Sequence, residues 1–277
     1  MNKFTSLVFL CCLIFSCKNA PEKESETAEN QTETIVDVET IPSYKLSLAQ
    51  WSLNRPIFAG EADPMDFAAT AKEMGFEGLE YVSQLYTNKN VNFNMKNAGL
   101  PAILEELKKR SDSLGMQNVL IMIDGEGDLS FTDEAATQTA IENHKKWVDA
   151  AEYLGCHSIR VNLFGEEEPE TWVANSVRSL KALAAYAASK NVNVIVENHG
   201  GLSSNGDLLA RVISEVGMDN CGTLPDFGNL CLKRKGGARW GAPCVEEYDM
   251  YQGITDLMPY ANCLLYTSDA ADEEDSV

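Results

Sequence analysis

Six short apolar runs recur along this chain at intervals of about 35 residues, and this repetition limits the fold more than any other feature. The runs predict strands at 45–53, 78–82, 118–123, 157–163, 192–196 and 221–224. Helical patterns lie between and after them, at 63–74, 100–114, 133–154, 170–189, 208–216 and 245–260. Strands that alternate with helices form parallel sheets, because each helix carries the chain back to the same end of the sheet. We therefore predict an α/β protein built of repeated βα units.

The turns after the predicted strands exclude two common nucleotide-binding folds. None of them carries the GxGxxG pattern of dinucleotide-binding folds or the GxxxxGK pattern of P-loop enzymes. A (β/α)8 TIM barrel is built of eight βα units, and this chain shows six of them.

Charged side chains come where the last two predicted strands end. Glu197 follows the fifth strand, and Asp226 follows the sixth. In parallel barrels the βα loops converge at the carboxyl ends of the strands and form the active face there. Glu197 and Asp226 are therefore the first candidates for a functional site. A buried carboxylate needs a partner, which a metal ion supplies, but a lysine or arginine on a neighbouring strand would also supply it.

The net charge of -20 overstates the acidity of the predicted folded region. Seven of the 42 acidic residues lie at 22–39, and five more lie at 269–275. The rest of the chain remains acidic and contains no long basic run, which argues against nucleic acid as a partner. The basic residues at 233–239 could grip an anionic substrate, although such a group is more often a solvated loop.

The cysteines of the folded region do not form a disulfide framework that the sequence can assign. Cys156 and Cys221 begin apolar runs and are interpreted as small core residues. Cys231 and Cys244 could pair in an oxidising compartment, and the sequence leaves this open.

Residues 1–17 are interpreted as a lipoprotein signal peptide. Lys3 precedes an apolar stretch at 7–15 that is too short to span a membrane, and Ser16 stands directly before Cys17, as in the lipobox of bacterial lipoproteins. We predict lipidation of Cys17, which would anchor the protein to a membrane, in the periplasm or at the cell surface. An ordinary signal peptide is the alternative. Residues 18–44 are acidic and poor in large apolar side chains, which predicts a disordered tether.

The sequence changes character after Asn262. Residues 263–277, which begin CLLYTSDAADE, break the preceding pattern and resemble the translation of a sequencing adaptor. We expect this segment to be an artefact, with a genuine acidic tail as the alternative. On this interpretation residues 45–262 form a partial barrel, truncated before its seventh and eighth strands.

Six segments together resemble the sugar phosphate isomerase/epimerase family of xylose isomerase-like TIM barrels, and in particular its branch common among Bacteroidetes lipoproteins. The segments are SLAQWSL, GLEYV, IMIDGEG, ENHKKWVDAAEYLGCHSIRVN, VIVENHGGLSSNG and CGTLPDFGN. The resemblance covers about residues 46–261. It implies a (β/α)8 barrel and carries little information on the substrate.

The resemblance implies a divalent metal held by Glu, Asp, His and Glu at the ends of strands five to eight. Glu197 matches the first ligand and Asp226 the second, whereas the last two would lie beyond residue 262. The donor set suits Mn, Co, Mg or Zn. In such enzymes two glutamates on opposite faces of the sugar move a proton beside the carbonyl, and Glu197 is predicted to be one of them. Without the last two ligands, the chain itself is expected to be inactive.

Further side chains at the strand ends are predicted to contact the sugar substrate. They are His199, Trp51, Glu80, Asp124, Asn162 and Arg160. All but Asn162 have a structural alternative: a hydrogen-bonded loop for His199, a core position for Trp51, and an internal salt bridge between Arg160 and either Glu80 or Asp124.

The predicted function is that of a metal-dependent isomerase or epimerase, which acts on an extracytoplasmic sugar or keto-sugar by proton abstraction next to a carbonyl. Export argues against a phosphorylated substrate. One alternative is a keto-sugar lyase or dehydratase that eliminates a β-substituent on the same scaffold. Another is a carbohydrate-binding lipoprotein without catalysis. The protein could form an oligomer.

Overall fold

A sheet of six parallel strands, ordered along the sheet as along the chain, forms the centre of the computed structural model, which describes residues 45–264. The strands are β1 (Ser47–Ala49), β2 (Gly78–Val82), β3 (Gln117–Met122), β4 (Ser158–Val161), β5 (Asn193–Glu197) and β6 (Cys221–Leu224). The predicted parallel α/β architecture is confirmed. The predictions for 1–17 with Cys17, for 18–44, and for the segment after 264 lie outside the described residues.

Helices connect these strands and cover the sheet. They are α1 (Asn54–Phe58), α2 (Phe67–Glu73), α3 (Gln84–Thr87), α4 (Leu100–Leu114), α5 (Glu134–Leu154), α6 (Pro169–Ala188), α7 (Gly206–Val216) and α8 (Met250–Leu257). Local signals set their ends: the Asp133 carboxylate accepts a hydrogen bond from the Ala136 N–H at the start of α5, and Gly155, with a φ of 79°, ends it. Among the described residues, no helix has the length and apolar character needed to cross a membrane.

The core lies on both faces of the sheet. All residues of β2, β4 and β6 are buried, as expected for central parallel strands that are covered on both sides. Trp147 of α5 and Trp172 of α6 are among the largest fully buried side chains. Burial of a large apolar side chain contributes roughly 1.5–3 kcal/mol, so this core is the main source of stability. Cys156 and Cys221 are buried in it, which confirms their interpretation as core residues.

The first strand is shorter than predicted. It ends at Ala49, and a 3-10 turn follows at Gln50–Leu53. The side chain of Gln50 explains the early end, because its amide oxygen accepts a hydrogen bond from the Val82 N–H and its amide nitrogen donates to the hydroxyl of Tyr86. A side chain therefore replaces the strand backbone as the partner of β2.

The prediction of a helix over 245–260 and of a loop over 233–239 was wrong in part. An antiparallel hairpin, β7 (Cys231–Arg234) and β8 (Cys244–Glu247), occupies this region and is closed by a Cys231–Cys244 disulfide. Helix α8 begins only after Asp249, whose carboxylate accepts a hydrogen bond from the Gln252 N–H. The cross-link and this N-cap together keep 244–247 extended.

A single parallel bridge follows α8. It joins Thr223 of β6 to Ala261, and the N–H of Asn262 donates to the carbonyl of Thr223. The chain therefore lies beside β6 at the position that a seventh strand takes in a barrel of this kind.

Candidate functional site

Strand register places the candidate residues of β4 and β5 on the same face of the sheet. Arg160 of β4 pairs with Ile195 of β5, and Glu197 follows two residues later. Side chains alternate along a strand, and neighbouring residues in register share a face, so the side chains of Arg160 and Glu197 project together. Both are almost fully buried, with 6% and 0% of the side chain exposed.

Arg160 forms ion pairs with two carboxylates. Its Nε lies 2.7 Å from Oε2 of Glu197, and its Nη1 lies 2.9 Å from Oδ1 of Asp124, in the loop after β3. The same Oδ1 accepts a hydrogen bond of 2.8 Å from Nδ2 of Asn162. The alternative of an arginine partner on a neighbouring strand therefore holds for Glu197, and the internal salt bridge holds for Asp124. Burial of Glu197 does not by itself require a metal.

Glu80 lies on the same face, deeper in the sheet. Val82 of β2 aligns with Met122 of β3, which in turn aligns with Arg160 of β4. Glu80 comes two residues before Val82 on β2, so its side chain lies on the same face as that of Arg160. Its Oε1 accepts a hydrogen bond of 2.5 Å from the hydroxyl of Ser47. Its Oε2 has no hydrogen-bond partner among the residues that the structure describes. Burial raises the pKa of the Glu80 carboxyl above its usual range, and the Ser47 hydrogen bond and the charge of Arg160 only partly oppose this shift.

Asp226 is fully buried in the turn that follows β6. Its carboxylate accepts hydrogen bonds from the Gly228 N–H at 2.7 Å and from Nδ2 of Asn229 at 2.6 Å. Asn198 ties this turn to the end of β5, because its side chain donates to the Asp226 carbonyl and accepts from the Asp226 N–H. Asn198 was not predicted as a site residue, since strand alternation directs its side chain away from those of its neighbours Glu197 and His199.

His199 connects the carboxylates to a group of aromatic rings. Its Nε2 lies 3.8 Å from Oε1 of Glu197. Its ring centroid lies 4.9 Å from that of Trp240 and 6.1 Å from that of Phe164, and these two rings are 5.5 Å apart. Trp240 and Phe164 were not predicted, because Trp240 stands in a glycine-flanked loop and Phe164 follows a strand without charge or periodicity to mark it.

Trp51 takes a different position from the other candidates. It lies in the 3-10 turn after β1 and packs edge-on against Phe58, with 6.2 Å between ring centroids. Within residues 45–264 no side-chain hydrogen bond links it to the other candidates. Hydrogen bonds and ion pairs therefore bring together Asp124, Arg160, Asn162, Glu197 and His199, with Asp226 attached through Asn198.

The described residues do not by themselves complete a metal site. Glu197 and Asp226 are two buried carboxylates at adjacent strand ends, which is the right chemistry for a divalent cation. However, no group of three or more His, Cys, Asp and Glu side chains within 45–264 is arranged to hold one. The arginine beside Glu197 also supplies positive charge where a cation would otherwise do so.

Comparisons with known proteins agree on the fold. Residues 68–257 match the profile of the xylose isomerase-like TIM barrel family. Among solved structures, D-psicose 3-epimerase with D-tagatose from Clostridium cellulolyticum H10 is similar (15% identity, TM-score 0.59, covering 80% of this chain and 73% of that one). 3-Keto-D-glucoside 4-epimerase from E. coli is also similar (15% identity, TM-score 0.53, covering 75% of this chain and 74% of that one). A third similar structure is the probable 3-DHS dehydratase of petrobactin synthesis from Bacillus anthracis (18% identity, TM-score 0.53, covering 80% of this chain and 72% of that one).

At such low identities the solved structures show a common fold and nothing finer. The comparison with curated protein sequences finds no match. The family profile spans more than half of the chain, from α2 to the end of α8. This chain therefore belongs to the xylose isomerase-like TIM barrel family.

Proposed function

We propose that this protein is an isomerase or epimerase of a sugar or keto-sugar, and that Glu197 abstracts a proton from the carbon next to the carbonyl. The observation that carries the proposal is the position of Glu197, a fully buried carboxylate at the end of β5 with Arg160 2.7 Å away and His199 3.8 Å away. The similar solved structures include sugar epimerases, which supports the same class of reaction.

The charges around Glu197 suit this reaction. When Glu197 takes the proton, negative charge develops on the carbonyl oxygen of the substrate. The buried guanidinium of Arg160, which lies beside Glu197, would stabilise that charge. Asp124 holds Arg160 from the other side, so the guanidinium stays in place as Glu197 becomes neutral. A second acid on the opposite face of the sugar, contributed from outside the described residues, would return a proton to the same carbon and give the epimer. The proton on Glu197 then passes to water and the second acid is reprotonated from water, so the atoms balance.

We propose that the remaining polar groups bind the hydroxyls of the substrate. Asp124 and Asn162 lie at the strand ends beside Arg160, and the Oδ1 of Asn162 has no hydrogen-bond partner within the described residues. That oxygen is buried, and we propose that a sugar hydroxyl donates the missing hydrogen bond when the substrate is bound. His199 and Glu80 are proposed to line the same space, beside Glu197 and beneath Arg160.

We also propose that Glu197 and Asp226 contribute two ligands to a divalent metal, Mn, Co, Mg or Zn, whose other donors come from outside the described residues. A bound cation would polarise the carbonyl and hydroxyl oxygens of the sugar. Titration calorimetry with Mn tests this independently of activity. Wild type should bind one Mn, and Asp226→Asn should bind it at least about tenfold more weakly. Equal affinity of the two proteins would refute the assignment.

The proposed location is outside the cytoplasm, on a lipid attached to Cys17. The Cys231–Cys244 disulfide supports this proposal, because disulfides persist in oxidising compartments. When cells that express the protein are extracted with a phase-separating detergent, wild type should partition into the detergent phase and Cys17→Ser into the aqueous phase. Equal partitioning of both would contradict lipidation.

The reaction is tested in D2O with D-psicose, D-tagatose and a 3-keto-D-glucoside. The assay uses the 277-residue chain and, beside it, any longer form that the gene encodes. An epimerase yields a product of unchanged formula that carries deuterium at the carbon next to the carbonyl. A lyase or dehydratase instead yields a product that has lost its β-substituent. Sugar binding without deuterium uptake would overturn the proposal in favour of a binding protein.

A further inference from the structure

The β7–β8 hairpin brings an aromatic residue to the candidate site. The hairpin begins two residues after Asn229, and its disulfide joins residues 13 apart. Trp240 stands in the loop between its strands and is half-buried. The ring of Trp240 lies 4.9 Å from that of His199, which is itself 3.8 Å from the Glu197 carboxylate. A single side chain therefore separates Trp240 from the proposed base.

Three rings form a continuous surface beside the carboxylates, here called the aromatic wall: Phe164, His199 and Trp240. Phe164 and Trp240 meet edge to face, with an interplanar angle of 87°, and His199 is tilted against both. Such arrangements are favoured by the quadrupoles of the rings, so the wall is an energetically stable unit. All three residues are partly exposed, which leaves ring surface available to a ligand.

Three interactions hold the hairpin loop in this position. The guanidinium of Arg239 lies 4.6 Å above the ring of Phe164 and forms two hydrogen bonds, of 2.8 and 3.3 Å, to the carboxylate of Asp128. The Cys231–Cys244 disulfide holds the base of the loop. Gly200, with a φ of 92°, lies next to the tryptophan, and a Cβ there would be in ordinary van der Waals contact with it, 3.9 Å from Cζ3 of Trp240. Neighbouring elements therefore fix Trp240 in place beside the site.

The surroundings of the aromatic wall match the chemistry of a sugar ring. One face of a cyclic sugar presents C–H groups that pack on aromatic rings, and its rim presents hydroxyls that need hydrogen bonds. Asn162, two residues before Phe164, has an amide oxygen without a hydrogen-bond partner among the described residues, and its amide nitrogen bonds to Asp124. Apolar ring surface and hydrogen-bonding groups therefore lie next to each other, beside Glu197.

We propose that Trp240, supported by Phe164, binds the apolar face of a cyclic sugar and so determines which substrates are held against Glu197. This inference deepens the proposed function and rests on it for the identity of the ligand. Trp240 is a binding residue in this account and takes no part in proton transfer. The disulfide-closed hairpin serves to present it.

The test separates substrate binding from chemistry. In the protein assayed above, Trp240→Ala should raise the KM for a 3-keto-D-glucoside, whose ring itself carries the carbonyl, about tenfold and leave kcat within about twofold. Trp240→Phe should restore most of the affinity, because it keeps an aromatic face. Val245→Ala, an exposed substitution on β8 of the same hairpin, is the matched control and should leave both constants unchanged. The Cys231→Ser/Cys244→Ser double variant should also raise KM, because the disulfide holds the loop that carries Trp240.

A binding measurement distinguishes this inference from the proposed function. Tryptophan fluorescence of Glu197→Gln should change on addition of D-psicose, and the change should disappear in Glu197→Gln/Trp240→Ala. D-mannitol, which has the hydroxyls but no ring, should give no change. If deuterium exchange occurs in wild type but Trp240→Ala has wild-type KM and wild-type quenching, the inference is refuted and the function stands. If Trp240-dependent binding occurs without any exchange, the aromatic wall stands and the proposed catalysis is refuted.

Discussion

The guanidinium of Arg160 on β4 lies 2.7 Å from the carboxylate of Glu197 at the end of β5, and both side chains are buried. Asp124 binds the same guanidinium at 2.9 Å. One buried cation thus positions two carboxylates from neighbouring strand ends. The desolvation cost of such groups is offset only when their partners are present, so each of them depends on the other two.

Removal of the buried cation should be strongly destabilising. We expect Arg160→Met to lower the free energy of unfolding by about 3–5 kcal/mol, because Glu197 loses its nearest ion-pair partner in the core. Adding Glu197→Gln to this variant should recover part of the loss, so the double variant should be less destabilised than the sum of the two single variants. Urea denaturation gives the free energy of unfolding of wild type, the two single variants and the double variant. Strict additivity would show that the two groups do not interact.

The buried carboxyl of Glu80 should make stability depend on pH. Its folded-state pKa is raised above the usual 4.5, so its favourable contribution is present below that pH and is lost as the pH rises through the folded-state value. Glu80→Gln cannot lose a proton, and its Tm relative to wild type should therefore increase between pH 4 and pH 8.

The control for Glu80 is Glu106→Gln. The hydrogen bond from Arg110 lowers the pKa of the partly exposed Glu106, so the Tm of this variant relative to wild type should change slightly in the opposite sense over the same pH range. A Tm difference for Glu80→Gln that stays constant or falls with pH would contradict the account of Glu80.

Asn198 should matter for stability as much as many core residues. Its side chain makes three hydrogen bonds to the turn after β6, two with the backbone of Asp226 and one with the carbonyl of Asn229. Asn198→Ala leaves these buried backbone groups without that partner and should cost about 2–4 kcal/mol. Asn193→Ala, at a partly exposed position of β5, should cost less than about 1 kcal/mol. Similar costs for the two variants, from thermal or urea unfolding, would argue against this role.

The hairpin should open locally when its cross-link is removed. Lys233, Arg234, Lys235 and Arg239 all lie inside the disulfide-closed loop and are sites for trypsin. In the Cys231→Ser/Cys244→Ser variant we expect cleavage at these residues to be about tenfold faster, because the open form of the loop is more populated. Reduced wild type should behave in the same way. Unchanged cleavage by mass spectrometry would show that Arg239 and the aromatic wall hold the loop without the disulfide.

Most of the fold could be predicted from the sequence, because periodicity and helix-end signals are local. The bounds of β2, β6 and α4 were predicted correctly, and other elements differ by a few residues at their ends. The errors occur where a long-range contact overrides the local pattern. The Gln50 side chain ends β1 early by bonding to β2, and the Cys231–Cys244 bond turns the predicted start of a helix into a strand.

Only the site residues at the carboxyl ends of the strands could be predicted from the sequence. Glu197, Asp124, Asn162 and Arg160 do lie together, as the rule on the carboxyl ends of parallel strands indicates. The sequence could not choose between a metal and Arg160 as the partner of Glu197, because that choice depends on strand register. It also gave no signal for Trp240, which reaches the site through the fold of the hairpin.

Transfer of a proton by Glu197 beside a carbonyl can be followed as deuterium uptake from the solvent. Deuterium uptake by D-psicose, D-tagatose and a 3-keto-D-glucoside in D2O is followed by mass spectrometry for wild type, for Glu197→Gln and for Glu215→Gln, an exposed control on α7. The account predicts that wild type and Glu215→Gln exchange at equal rates, and that Glu197→Gln is slower by about 10²–10⁴ while it still binds the sugar. Exchange by Glu197→Gln at the wild-type rate would contradict the account.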